Sequence, residues 1–279
     1  MSEDDLFNKT LKSELSFKPV INKTPKYLTI EQIDFYNKNG YLKPLQIFTR
    51  MEVIKNREFF DQLLNEFNEN EHNNAAYSIN GYHVRCEEIW NIVMNPKILD
   101  CVEDLIGPDI IAWGSNYFCK MPFDRKAVPW HQDASYWPLR PARTVTVWLA
   151  IDRSDEENAA MQFIPGTHIL GHLSWGKTKK LAVLSQEIPN ATKYAQPVFN
   201  TLKAGEISLH ADMMVHGSTA NAGRYRRCGL TIRYCPPNVK ITSNEDKYKG
   251  YGMHAILCRG KNLYGYWDCR PKPTKTLGT

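Results

Sequence analysis

Long apolar runs, paired-cysteine motifs, blocks of basic charge and internal repeats are all missing from this 279-residue chain. No stretch is apolar over the length that a bilayer demands, so neither a membrane-spanning helix nor a membrane partner is expected. The first residues, Met1-Ser2-Glu3-Asp4-Asp5, are acidic, which speaks against a secretory or transit signal. The seven cysteines (Cys86, Cys101, Cys119, Cys228, Cys235, Cys258 and Cys269) are odd in number and contain no Cys-x-x-Cys spacing. Free thiols in a reducing cytoplasm are the simpler expectation. The formal net charge of +5 comes from scattered residues. Its densest clusters, Lys177-Thr178-Lys179-Lys180 and Arg224-Tyr225-Arg226-Arg227, are too short to make a phosphate-binding track, so no nucleic-acid partner is expected.

What is present is a globular composition, 42% hydrophobic and 11% aromatic, in a length that suits one sizeable core. Residues 1–27 are polar. Thr29 can cap a helix, with Gln32 reaching back in a capping box, and Gly40 supplies its exit before a strand at Tyr41 and Leu42. Val53, Ile54, Phe60, Leu63, Leu64 and Phe67 recur at helical spacing over residues 52–69, and a surface loop rich in Asn and Glu follows at 68–74. Another helix is predicted over 96–105, stopped by Gly107-Pro108. Residues 28–107 therefore read as mainly helical support.

After Pro108 the pattern changes to short strands at 109–121, 144–152, 162–164, 206–211 and 228–234. In 144–152, Val145, Val147, Leu149 and Ile151 alternate with Thr146, Trp148 and Ala150. The fold class is mainly β with flanking helices, a jelly-roll core over 108–240, in one domain without a linker. Residues 174–199, with weak periodicity, suit a lid. Residues 241–279, with Tyr248, Tyr251, Tyr264, Tyr266 and Trp267, are expected to wrap back onto the barrel.

Trp130-His131-Gln132-Asp133 organises the functional reading. On a strand, His131 and Asp133 project from one face, giving an imidazole and a carboxylate side by side. A second histidine would complete the two-histidine, one-carboxylate set of non-haem Fe(II) oxygenases. His216 and His210 both qualify by distance along the chain. A 2-oxoglutarate cosubstrate would need a guanidinium for its distal carboxylate. Strand alternation places Arg227, Gly229, Thr231 and Arg233 on one face. Arg227 and Arg233 lie roughly 20 Å apart along a strand, so only one can be that anchor. His168 and His172, four apart, resemble a zinc-type pair but follow Pro165-Gly166 and have no glutamate between them.

Trp130-His131-Gln132-Asp133, Phe163-Ile164-Pro165-Gly166-Thr167-His168 and His216-Gly217-Ser218-x-x-Asn221, followed by Arg227 and Arg233-Tyr234, resemble the phytanoyl-CoA dioxygenase family. With Gly40-Tyr41 and Arg259-Gly260-Lys261-Asn262 the likeness runs from about residue 28 to 268. It implies a double-stranded β-helix, with His131, Asp133 and His216 holding Fe(II) and serving as the catalytic centre. It further implies Arg227 as the 2-oxoglutarate anchor, Ser218 assisting it, and Lys120 and Trp148 beside the cosubstrate. Halogenases of the superfamily carry a small residue where Asp133 stands, so halogenation is not expected.

The expected activity is dioxygen-dependent hydroxylation of a small molecule in natural-product metabolism, such as an alkaloid. Desaturation, cyclisation or epimerisation can follow the same hydrogen abstraction. The readings from other classes are a zinc hydrolase and a non-catalytic jelly-roll binding protein. Arg85, Tyr117, Trp137 and Trp175 are the candidates for contacting substrate.

Overall fold

The computed structural model describes residues 14–70, 79–179, 181–242 and 255–274. Its first described long helix starts at Thr29, whose hydroxyl accepts from the Gln32 amide while the Gln32 side chain accepts from the Thr29 N–H at 2.9 Å. These reciprocal bonds satisfy two of the donors that every helix start leaves over. Helix α1, Ile30–Asn39, ends at Gly40 with φ +81°. A Cβ there would lie 2.5 Å from Nδ1 of His168, so glycine is required both by conformation and by space.

Among the described residues three further α-helices follow: α2 (Arg50–Asn70), α3 (Glu87–Val93) and α4 (Pro96–Ile106). Helix α3 was not foreseen: Cys86 at its N-cap makes no side-chain capping bond, and burial of Ile89, Ile92 and Val93 holds it instead. Of the expected loop at 68–74, residues 68–70 are the end of α2, and 71–74 lie outside the described residues.

The strands are β1 (Tyr41–Gln46), β2 (Ile110–Lys120), β3 (Val128–His131), β4 (Leu139–Arg140), β5 (Val145–Ala150), β6 (Gln162–Phe163) and β7 (Gly176–Lys177). They continue as β8 (Gln186–Glu187), β9 (Val198–Phe199), β10 (Glu206–Ala211), β11 (His216–Ser218), β12 (Arg227–Cys235), β13 (Lys240–Ile241) and β14 (Ile256–Arg259). Six form one sheet in the order β1-β10-β5-β12-β2-β14, and four form another in the order β3-β11-β6-β9. This is the double-stranded β-helix.

Alternation divides the large sheet cleanly. Val147, Leu149, Ile207, Leu209, Leu230 and Ile232 face the helices, packing with residues such as Phe60, Leu63, Ile98 and Val102 in the main core. The opposite face carries ranks of side chains set by the register. His210, Thr146, Arg233 and Gly114 form one rank, and Ser208, Trp148, Thr231 and Asn116 the next.

Strand β14 adds to the sheet edge beside β2, and Trp267 is buried with Trp113 and Trp137, so this part of the C-terminal segment does pack back. Tyr264 and Tyr266 are exposed, and Tyr248 and Tyr251 lie outside the described residues. All seven cysteines are free. No described helix is long and apolar enough to cross a membrane.

Candidate metal centre and its cavity

Strands β3 and β11 pair antiparallel with His131 opposite His216, so the sheet joins two residues far apart in the chain. The strand expected through 130–133 stops at His131, and Asp133 begins a 3-10 turn, Asp133–Ser135. Gln132 is the cause. Its amide donates to the carbonyls of Met213 (2.7 Å) and Gly171 (2.9 Å), and its oxygen accepts from the Leu173 N–H (2.9 Å). These bonds draw the chain out of the ladder, yet the carboxylate still meets the imidazoles. Oδ1 of Asp133 lies 3.4 Å from Nε2 of His131 and 3.8 Å from Nε2 of His216. One donor atom from each of the three buried residues falls within 4.8 Å of the others.

The protonation pattern decides what this cluster can do. Nδ1 of His131 lies 2.8 Å from the Pro129 carbonyl, and Nδ1 of His216 lies 2.9 Å from the Met214 carbonyl. A carbonyl only accepts, so each Nδ1 carries a hydrogen, and in the neutral ring Nε2 presents a lone pair. Burial, reinforced by the neighbouring imidazole of His131, holds His216 far below the ordinary histidine value. Burial opposes ionisation of Asp133, but the adjacent His216 and the contact with His131 hold its carboxyl well below the usual range. Lone pairs and a negative charge thus converge in a buried place, an arrangement that a cation relieves. The donor set of two imidazoles and one carboxylate suits Fe(II).

His210 stands behind this set. Its Nε2 is 3.8 Å from Oδ2 of Asp133, the oxygen turned away from the other histidines, to which the Thr146 hydroxyl also points at 3.4 Å. Burial lowers its proton affinity, so it stays neutral. His168 bonds the Asn37 carbonyl through Nε2 at 3.0 Å and packs on Phe17, while His172 is exposed, so the two do not form a site together.

A cavity of about 460 Å³ opens from the three donors across the inner face of the large sheet. Arg227 reaches into it from β12, its guanidinium 5.8 Å from the ring centre of Trp148 and its Nη2 donating to Oγ of Ser218 at 3.4 Å. Gly229, in the same strand, leaves room for Trp148: a Cβ there would lie 2.1 Å from the indole. The expected single face of Arg227, Gly229, Thr231 and Arg233 is therefore found, with Arg227, Thr231 and Arg233 all lining the cavity.

Of the other residues singled out, Trp137, Trp148 and Ser218 line the cavity. Lys120, beside Arg227 in the register, is fully buried and donates to the carbonyls of Lys126 and Thr219. Burial and the nearby Arg227 lower its pKa to about 7. Tyr117 points the other way, into the helix-side core against Phe60, because Asn116 and Phe118 occupy the inward positions of β2. Arg85 is exposed and lies over the Tyr82 ring, and Trp175 is 45% exposed; neither lines the cavity. From the proposed lid stretch, Leu184 does. Asn80, Trp113 and Asn116 line it without having been anticipated.

The model of the phytanoyl-CoA dioxygenase family matches residues 36–228, well over half of the chain. The chain belongs to this family. Family members are Fe(II)- and 2-oxoglutarate-dependent oxygenases, the chemistry for which the two-histidine, one-carboxylate cluster is suited. The peroxisomal phytanoyl-CoA dioxygenase of Bos taurus is 22% identical over 274 residues, covering 90% of this chain and 81% of its own. A probable alpha-ketoglutarate-dependent hypophosphite dioxygenase of Stutzerimonas stutzeri is 26% identical over 73% of this chain and 77% of its own. Among solved structures, the non-heme monooxygenase ThoJ in its apo form superposes with a TM-score of 0.74 at 27% identity, covering 87% of this chain and 88% of that one.

Proposed function

We propose that this family member hydroxylates an unactivated C–H bond of a small molecule in secondary metabolism, with Fe(II) held by His131, Asp133 and His216. The observation that carries the reading is the convergence of two Nε2 lone pairs and one carboxylate oxygen at the end of a cavity that also holds Arg227. With these groups bound, 2-oxoglutarate and dioxygen are converted to succinate and carbon dioxide while one oxygen atom enters the substrate C–H bond.

The chain's own residues divide the remaining work. Pro129 and Met214 carbonyls fix the tautomers of the two histidines, so that Nε2 is the ligating atom in each. Asp133 keeps its charge, and the Thr146 hydroxyl steadies its far oxygen. Arg227 offers a planar guanidinium to the distal carboxylate of 2-oxoglutarate, with Trp148 behind it and Ser218 beside it. Ser218 and His216 lie on one short strand, about 7 Å apart, which ties the anchor to the metal end. A zinc hydrolase would have no oxoacid for Arg227 to hold. The 460 Å³ cavity must accept cosubstrate and substrate together, which favours a compact substrate over a long acyl chain. The cytoplasm is the compartment we assign.

The test is consumption of 2-oxoglutarate. Purified protein with Fe(II), 2-oxoglutarate and oxygen should release succinate, and Arg227→Leu should require about ten- to a hundredfold more 2-oxoglutarate, the loss of one charged hydrogen-bonded contact. An unchanged requirement in that variant would remove Arg227 from the cosubstrate site.

A further inference from the structure

Asp133 is held differently from the two histidines beside it. His131 and His216 sit opposite one another in the ladder of β3 and β11, and each has its Nδ1 on the carbonyl two residues back. Asp133 has left that ladder for the Asp133–Ser135 turn, so the small sheet does not set its side chain. The large sheet reaches across instead. Thr146 of β5 and His210 of β10 are directly opposite in the register, and both turn to the same oxygen, Oδ2, the hydroxyl at 3.4 Å and Nε2 of the imidazole at 3.8 Å. Residues paired in this way have Cβ atoms about 5 Å apart, near enough to meet on one atom between them. His210 is 1% exposed, and neither of its ring nitrogens has a hydrogen-bond partner among the described residues. A buried polar group left in that state is costly, and the Asp133 oxygen is the acceptor that Nε2 faces.

We propose that His210 is a positioning residue: its Nε2–H, with the Thr146 hydroxyl, holds Oδ2 of Asp133 so that Oδ1 alone is offered to the metal. A carboxylate oxygen only accepts, so the nitrogen that faces it carries the hydrogen, the reverse of the tautomer in His131 and His216. The 3.8 Å separation is longer than a closed hydrogen bond, and χ2 of an aspartate is a broad torsion whose rotation brings Oδ2 within reach. Oδ1 is the oxygen that lies 3.4 Å from Nε2 of His131 and 3.8 Å from Nε2 of His216. Held at Oδ2, the carboxylate cannot turn both oxygens to the ion. The chain then supplies three ligand atoms and leaves the remaining positions to the oxoacid and dioxygen. His216 and His210, which the spacing along the chain does not separate, have opposite roles: one presents a lone pair, the other a hydrogen.

This rests on the reading of His131, Asp133 and His216 as the metal ligands, and the experiment separates the two. The full chain, stripped with a chelator, is dialysed anaerobically to equilibrium against Fe(II) as wild type, His210→Leu, His210→Gln and His216→Ala. The Fe(II) dissociation constant should rise about ten- to a hundredfold in His210→Leu, the scale of losing a partner behind a ligand. His210→Gln, whose amide keeps an N–H donor, should recover most of that loss. In parallel, nitrogen NMR of the wild type with labelled histidines, loaded with diamagnetic Zn(II), should show the hydrogen of His210 on Nε2 and those of His131 and His216 on Nδ1. That spectrum needs no variant to fold. An unchanged Fe(II) affinity in His210→Leu, equal weakening in both His210 variants, or a His210 hydrogen on Nδ1 alone would overturn the assignment. Binding that vanishes in His210→Leu and survives in His216→Ala would overturn it as well, making His210 the ligand. A wild type that takes up neither Fe(II) nor Zn(II) would sink the metal reading itself, and this inference with it.

Discussion

Gly229→Ala is the substitution whose outcome the geometry fixes most tightly. In an ordinary central strand, alanine in place of glycine stabilises by roughly 0.5–1 kcal/mol, because glycine loses more backbone freedom on folding. Here the added methyl would sit 2.1, 2.3 and 2.7 Å from three atoms of the Trp148 indole, all far inside contact distance. Trp148 is 1% exposed, so the ring cannot swing into solvent. Overpacking of this kind costs about 1–3 kcal/mol, which outweighs the backbone gain. The net loss should lower the unfolding midpoint by several degrees in a chain of this size. Because Trp148 backs Arg227, the affinity for 2-oxoglutarate should fall as well. Thermal unfolding and cosubstrate titration would be run on Gly229→Ala, Trp148→Leu and the double variant. The two changes should be non-additive, with alanine at 229 tolerated once the indole is gone. A stabilised or unaltered Gly229→Ala, or strictly additive effects, would refute the close packing of Gly229 and Trp148.

Other expectations are more direct. Arg226 donates to both oxygens of Asp152 at 2.8 and 3.1 Å and to Asp61 at 2.5 Å, tying α2 to the sheet beside Arg227. Arg226→Leu leaves the buried Asp152 without its main partner and should cost about 3–5 kcal/mol in denaturant unfolding; a loss below about 1 kcal/mol, the scale of a surface pair, would show that the network is not structural. Lys120 has a folded-state pKa of about 7 against an ordinary 10.5. Between those values the unfolded chain binds more protons, so this group makes stability rise with pH across that window. Lys120→Met should flatten the rise relative to wild type, and parallel stability curves from pH 7 to 10 would contradict the burial of a titrating amine. Asp133→Ala should abolish succinate formation, whereas normal turnover would remove Asp133 from the ligand set.

Local rules were enough for much of this architecture. Helix α1 starts and stops where Thr29, Gln32 and Gly40 place it, because capping depends on residues within one turn. The alternation in β5 and β12 assigned inner and outer faces correctly, including Arg227, Thr231 and Arg233, since a half-buried strand has a period of two. The resemblance points to His131, Asp133 and His216, which the fold brings together, but their local conformation was not legible. The strand ends at His131 because Gln132 bonds Gly171, Leu173 and Met213, residues about 40 and 80 positions away.

Tyr117, a candidate for contacting substrate, faces the helix-side core instead, for a related reason. Strand β2 is buried on both sides, so only its register with β12 shows that Asn116 and Phe118 are the inward residues. The register shift of β2, where Arg233 pairs with Gly114 but Tyr234 with Ala112, carries no local signature in the sequence. Arg85 and Trp175 lie on segments expected to cover the metal mouth, and the fold leaves both outside the cavity lining.

The central claim is that His131, Asp133 and His216 hold Fe(II) and that Arg227 orients 2-oxoglutarate beside it. Anaerobic titration of the purified protein with Fe(II) and then 2-oxoglutarate, followed by visible absorption, tests it most directly. A charge-transfer band that needs both components, vanishes in His216→Ala and demands more 2-oxoglutarate in Arg227→Leu is the predicted result. A folded, metal-loaded protein that gives no band, or a band that His216→Ala leaves intact, would contradict it.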